Sequence, residues 1–478
     1  MKKTFLNIFY NAVYQVFLVL VPLITVPYLS RVLGPTTYGI YSSVNNTVQF
    51  LMIFCVLSLS NIGVRSISKA RAKSKSGELT EAFWGLWYFQ FIGGLVTIAL
   101  TVLTCLALKV RYWNYFLLML PYLIAAQFDI SWFFQGLADF GRVVLRNTIV
   151  KIVSVVFILL LIKSPADLWK YFLIMSVSTM LGSFVFWFSI GKYVGRPVKH
   201  FYHFYHFAET RRAIMTLMIP QIATQIYTSL DKPLLGLFQN TAQVSYYDNS
   251  QRISNMILGV ITSISLVIMP QMAVQGKETQ NKVLKKSLEA TTMLGTMFAV
   301  VVMANTKEFV PFFFGKKYIP MTPLMFFFTL TIILIPMGGV FANQFALANK
   351  RDKDYAIPVT IGAVLELVFS YFLDRPFGAA GAMVAILLTE AVVLFLRCWI
   401  VRDGYDFKET FSDVPKCFLA MAISLAAGML WPWQIPSTFI NMTVKSLVIM
   451  ALYLAILWLL KFDLNEDLVT IVKKRLKK

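Results

Sequence analysis

Apolar runs of membrane length, parted by short polar breaks, follow one another along this chain. Residues 152–162 and 446–460 show the pattern, with none of the two-residue alternation of a barrel strand. About 20 apolar residues of helix cross the ~30 Å hydrocarbon layer. Lipid tolerates no unpaired backbone groups, so runs of this kind must be helices. The pattern predicts fourteen, at residues 8–32, 38–62, 81–108, 114–136, 144–162, 168–191, 213–236, 243–271, 284–304, 320–347, 355–373, 378–400, 414–432 and 440–460. The break at 193–212 is the longest and the richest in charge and aromatics. It divides the chain into an N-terminal lobe of helices one to six (1–192), a cytoplasmic linker (193–212), a C-terminal lobe of helices seven to twelve (213–401), and two last helices with a basic tail (402–478). Six helices per lobe give both lobes the same orientation. That is the parallel-repeat arrangement, with the binding site expected between halves. The opening Met1-Lys2-Lys3 and its apolar stretch to Val32 are too long for the core of a secretory signal, so this stretch is expected to stay as the first membrane helix.

Composition agrees, at 58% hydrophobic and only 14% charged over 478 residues, against about 25% charged in soluble domains. The net charge of +21 would suit nucleic acid, but its placement does not. With the N terminus inside, thirty Lys and Arg fall in inner segments and nine in outer ones, which predicts both termini cytoplasmic and no nucleic-acid partner. Cys55, Cys105, Cys398 and Cys417 all lie in apolar runs and read as small hydrophobes. The three histidines, His200, His203 and His206, could gather a metal by spacing; no carboxylate or Cys completes the set, and an interfacial aromatic linker fits better.

Polar side chains at membrane depth are costly, so they are the candidates for function. On the seventh helix Gln221, Gln225, Thr228 and Lys232 fall on one stripe, with Thr224, Tyr227 and Asp231 beside it. The stripe either lines a wet cavity or bonds neighbouring helices. Asn7, Asn11 and Gln15 share a face of the first helix; Ser42, Asn45 or Asn46, and Gln49 share one of the second. Asp248 and Arg252, four apart on the eighth helix, either pair or line the cavity. Asp129 needs a cation, and Lys151 or Arg146 is within reach along the chain. Glu366, Glu390 and Thr389 offer buried oxygens to a coupling proton or sodium ion, unless Glu390 simply pairs with Arg397. No catalytic set, phosphate-cradling loop or domain-sized loop is visible, so the chain is not expected to be an enzyme or to need a cofactor.

Three motifs carry a resemblance. Pro22-Leu-Ile-Thr-Val-Pro27-Tyr-Leu-Ser-Arg31-Val-Leu-Gly34 runs on to Tyr38-Gly39; Trp132-Phe-Phe-Gln135-Gly136 is followed by Arg146 and Lys151; Ile226-Tyr227, Asp231-Lys232 and Gly236 precede Tyr246-Tyr247-Asp248. In this order they resemble the bacterial polysaccharide-repeat flippases of the Wzx type. The resemblance implies the multidrug/oligosaccharidyl-lipid/polysaccharide (MOP) exporter fold, an all-α integral membrane architecture. Two six-helix lobes form a V in it, helices one, two, seven and eight frame a cavity, and two helices follow. It implies an undecaprenyl-pyrophosphate-linked oligosaccharide as substrate, flipped across the cytoplasmic membrane of a bacterium. It also implies a cation site in the C-terminal lobe, here Asp231, Glu366, Thr389 and Glu390.

The expected mechanism is alternating access. Lys232, Arg252 and Arg31 meet the pyrophosphate, and Gln221, Gln225 and Asn46 the sugar, while the polyprenyl tail stays in lipid. A polysaccharide polymerase and chain-length regulators are the expected protein partners. The rival readings are a teichoic-acid or peptidoglycan precursor flippase, a drug exporter of the same superfamily, and a membrane glycan polymerase.

Overall fold

The computed structural model describes residues 2–56, 59–72, 76–196, 218, 221–272, 277–433 and 435–463. Outside the described residues lie the three linker histidines, most of the 193–212 break, residues 473–478, and the side chains of Asn7, Asn11, Gln15 and Tyr227. What is described is helical, with no strand among the described residues. Ten helices among them are long and apolar enough to cross a membrane. They coincide with the expected third to sixth and ninth to fourteenth helices; parts of the other four fall on undescribed positions.

The chain forms two compact units, one of Met1–Gly236 with Asn240–Ser245, the other of Leu237–Gln239 with Tyr246–Lys478. In the first unit α1 (Lys2–Val56) holds the expected first two helices in one run. The run breaks at Gly34, whose φ of 72° only glycine adopts freely, and Pro35 follows without a donor to lose. After α2 (Leu59–Ala72) and α3 (Ser76–Leu108), the fourth expected helix appears as three pieces, α4 (Trp113–Leu118), α5 (Leu120–Phe128) and α6 (Ser131–Gly136). Then come α7 (Phe140–Leu161) and α8 (Leu168–Ile190). A π turn at Ile226–Leu230 leads into α9 (Asp231–Phe238). One core cluster sets Tyr41 of α1, beside Tyr38, against Tyr171 and Phe172 of α8; a second gathers Phe83, Trp132, Phe133 and Phe186.

α10 (Thr241–Met272) begins in the first unit and continues into the second, where α11 (Lys277–Phe313), α12 (Thr322–Phe328) and α13 (Thr331–Gly339) follow. A π segment at Val340–Leu347, α14 (Asp352–Phe377), α15 (Ala379–Ile400), α16 (Val414–Met429) and α17 (Thr438–Leu459) complete it. The centre of this unit is α11 and the 316–347 span, whose membrane windows are 61% and 67% buried; α7 of the first unit, at 11%, lies at a periphery.

Candidate functional site

Two of the three motifs are packing devices of the first unit. Tyr38 and Tyr41 are buried, and Gly39 lies so close to the start of α10 that a Cβ there would meet the Thr241 carbonyl oxygen at 1.7 Å. Any side chain would force these backbones apart. Trp132 packs on Gly63 of α2, and Gly136 on Ile67. Ser68 Oγ then donates to the Gly136 carbonyl at 3.0 Å, and the Arg71 guanidinium to that of Leu137.

Between α5 and α6 the backbone leaves the helix at Asp129, with ψ 108°. The freed carbonyls of Ala126 and Asp129 accept from Gln90 Nε2 at 2.6 and 2.9 Å, and that of Phe128 from Trp187 Nε1 at 2.8 Å. Gln90 Oε1 in turn accepts from Trp132 Nε1 at 3.0 Å. The Asp129 carboxylate accepts from the Ser131 amide at 2.7 Å and pairs with Arg146 at 2.8 Å. Such side-chain replacement of lost helical bonds is what lets a helix break inside a membrane. Among the described residues it is Arg146, rather than Lys151, that holds Asp129.

The seventh-helix stripe is not a stripe. Its even spacing assumed 3.6 residues per turn, and the π turn at Ile226–Leu230, with its i→i+5 bonding, shifts every later position around the axis. Thr224 and Thr228 are exposed, Gln221 and Gln225 half-buried, and Asp231 and Lys232 sealed at 2% and 3%. Lys232 Nζ donates to Asp231 Oδ1 at 3.0 Å and to the Thr228 carbonyl at 3.1 Å, while Gln225 Nε2 donates to Ser229 Oγ at 3.1 Å. Lys232 is thus a buried, paired cation. On α1, Arg31 is exposed, and buried Asn46 turns its amide back to the Ser42 carbonyl at 2.8 Å.

In the second unit Arg252 pairs with Asp248 at 3.3 Å. α14 and α15 are packed so closely that a Cβ on Gly381 would lie 2.0 Å from the Leu373 carbonyl oxygen. Glu366 lies seven residues before Leu373, and Thr389 and Glu390 lie eight and nine residues after Gly381, so on this antiparallel pair the three fall at similar heights. All three are buried to within 2% exposure. Ser370 Oγ donates to Glu366 at 3.4 Å. Thr389 Oγ1 and one carboxylate oxygen of Glu390 have no hydrogen-bond partner. Among the described residues Glu390 and Arg397 form no salt bridge, and the Arg397 guanidinium lies against Gly338. The structure thus buries Glu366, Thr389 and Glu390 on one packed helix pair, while Asp231 belongs to the first unit.

One cluster escaped sequence reasoning, because its members lie 50 to 174 positions apart. Oxygens of Glu289, Asp413 and Asp463 approach within 4.8 Å of one another. Lys285 reaches Asp463 at 2.6 Å and Lys416 reaches Asp413 at 2.7 Å. With two ammonium groups already on two of three carboxylates, the arrangement ties α11, α16 and the end of α17 together and leaves little for a metal.

A model of a family described as "Polysaccharide biosynthesis protein" matches residues 5–275. The chain is 23% identical over 410 residues to a putative O-antigen transporter of Escherichia coli (strain K12), covering 83% of this chain and 96% of that protein. It is 20% identical over 223 residues to a probable low-salt glycan biosynthesis flippase, Agl15, of Haloferax volcanii, covering 45% and 46%. Among solved structures, the lipid II flippase MurJ in an inward closed conformation matches with a TM-score of 0.76 at 15% identity, over 96% of this chain and 99% of that one. A multidrug resistance MATE family transporter of the MOP superfamily, facing inward, matches with a TM-score of 0.60 at 14% identity, over 87% and 96%. At these identities the two structures speak for the fold, and it is the all-helical fold that the resemblance implied.

Proposed function

This chain belongs to the polysaccharide biosynthesis protein family, and from that premise we propose that it is a flippase for lipid-linked oligosaccharide. It carries repeat units joined by pyrophosphate to undecaprenol from the inner to the outer leaflet of a bacterial cytoplasmic membrane, both termini being cytoplasmic. The units feed a capsule, exopolysaccharide or O-antigen-type polymer, with a polymerase and chain-length regulators as working partners. A transporter and a flippase among the relatives support this cargo class.

The observation that carries the proposal is the Asp231–Lys232 pair, buried next to a π turn in the helix that the sequence predicts as the seventh span. An ion pair there costs desolvation that two apolar residues would avoid, and π turns recur at functional sites. A sugar headgroup cannot enter hydrocarbon with its hydroxyls unsatisfied, and a pyrophosphate adds charge. In this reading Lys232, Arg252 and Arg31 take the phosphate charge, and cargo competes with Asp231 and Asp248 for the first two. Gln221, Gln225 and Asn46 take sugar hydroxyls. Glu366, Thr389 and Glu390 take the coupling proton or sodium ion, and alternating access does the rest. An inside-negative potential favours outward movement of anionic cargo by about 2.3 kcal/mol per charge per 100 mV.

The test uses purified protein in vesicles containing a fluorescent undecaprenyl-pyrophosphoryl oligosaccharide, with lipid II as the alternative cargo. Protein should raise the fraction of probe reached by an external quencher above that in protein-free vesicles. An unchanged fraction for the oligosaccharide would sink the proposal, and movement of lipid II alone would transfer it to that cargo.

A further inference from the structure

α7 is enclosed over little of its length, yet it carries Lys151 at its middle. Lys151 lies 11 residues from Phe140 and 10 from Leu161, about 15 Å from either helix end at 1.5 Å per residue. Lysines near helix ends snorkel to the headgroup layer; one at mid-depth cannot. Its counter-ion by sequence would be Asp129, which Arg146 already holds. Among the described residues nothing accepts a hydrogen bond from Lys151 or pairs with it.

The side chain is half-buried rather than turned to lipid. The lipid face of α7 is marked by exposed Ile149, Ile152, Val153 and Val156. Lys151 instead flanks the inward row of Ser154 and Ile158. It stands one turn beyond Asn147, which engages Tyr14 on α1. A cation fixed in such a seam, without a partner, is a standing cost that an apolar residue would remove.

We infer that Lys151 is a contact for the anionic group of the cargo, supplied with its counter-charge only while cargo passes. This rests on the flippase reading and adds to it a residue on a helix that the polar-stripe argument did not include. Two parts of the cargo offer the same chemistry: the pyrophosphate, and any acidic sugar in the repeat unit.

The experiment compares wild type, Lys151→Met and Lys151→Arg in vesicles, with two probes. One is an undecaprenyl-pyrophosphoryl disaccharide of neutral sugars; the other carries a glucuronic acid residue in place of one of them. Lys151→Met, which keeps the volume and removes the charge, should lower the flipping rate at least ten-fold, and Lys151→Arg no more than three-fold. The Met protein should resist heat at least as well as wild type, because an uncompensated charge has gone. Equal loss on both probes assigns the pyrophosphate; loss on the glucuronate probe alone assigns the acidic sugar. Wild-type rates for Lys151→Met on both probes would overturn the inference. So would a Lys151→Arg protein that is equally inactive and less heat-resistant, since the role would then be structural. If wild type itself moves neither probe, it is the flippase reading that falls.

Discussion

In the first unit the broken helix at Asp129 leaves polar groups in the membrane, and its described carbonyls and carboxylate are bonded, although Arg146 Nε is buried without a hydrogen bond. Gln90 bonds two freed carbonyls and Trp132, Trp187 bonds a third, and Arg146 pairs with the carboxylate. In the second unit, the level of Glu366, Thr389 and Glu390 is different. These groups are at least as deeply buried, yet Thr389 Oγ1 and an oxygen of Glu390 have no hydrogen bond, and neither does the side-chain amide of Gln344, which is fully buried on the nearby π segment. The same price in desolvation is thus met in one place by the protein itself and in the other left open. A satisfied polar network rigidifies; an unsatisfied one is a group waiting for a ligand or a proton. The comparison gives Asp129 a structural role and leaves Glu390 as the carboxylate to which the proposed coupling is attached, although in sequence the two carboxylates look alike.

The sharpest way to break this comparison is Gln90→Leu. It strands a buried and a half-buried carbonyl and an indole N–H, each costing about 1–3 kcal/mol when unsatisfied, so a loss of about 3 kcal/mol is expected. Detergent-titrated unfolding would measure it, and a loss below about 1 kcal/mol would mean that the break is held by something else. Arg146→Met comes next. Removing one partner of a buried pair costs about 3–5 kcal/mol, and because Asp129 remains partly exposed the same unfolding assay should return the lower end or less.

A calibration at the surface comes third. Arg351 donates to Asp403 at 2.9 Å and holds its carboxyl below the usual range. A depressed folded value means stability that is present above the ordinary aspartate pKa of about 3.9 and lost as pH falls through the lower folded one. The pair is exposed, so Asp403→Asn should cost less than about 1 kcal/mol at neutral pH, with mutant and wild type converging in unfolding assays at strongly acidic pH. The smallest change in stability belongs to Glu390→Gln, at a carboxylate that forms no salt bridge among the described residues and feels Arg397 only at longer range. Stability should stay within about 0.5 kcal/mol or rise, while the dependence of flipping on a proton or sodium gradient disappears. A Gln variant that unfolds early and keeps its gradient dependence would place Glu390 with Asp129, as structure.

Much of this was legible from the chain alone. Length and apolarity of the runs decide that helices cross the membrane, because lipid admits no other open structure, and ten of the expected spans stand where the runs predict them. The three motifs were legible too, and so were Glu366, Thr389 and Glu390 as costly polar groups at membrane depth, all three of which the structure buries. What the chain alone could not decide was partner choice and phase. Arg146 and Lys151 are equally plausible for Asp129 by spacing, and only packing selects one. The stripe through Lys232 was drawn on a uniform helix, and a π turn at Ile226–Leu230 breaks its phase before Lys232, which is sealed against Asp231 while Thr224 and Thr228 stay exposed. The Glu289–Asp413–Asp463 cluster needed three distant helices to meet before it existed. Local energetics can be read along one dimension; counter-ions, register and satisfied bonds belong to the third, where the low dielectric makes each choice of neighbour worth kilocalories.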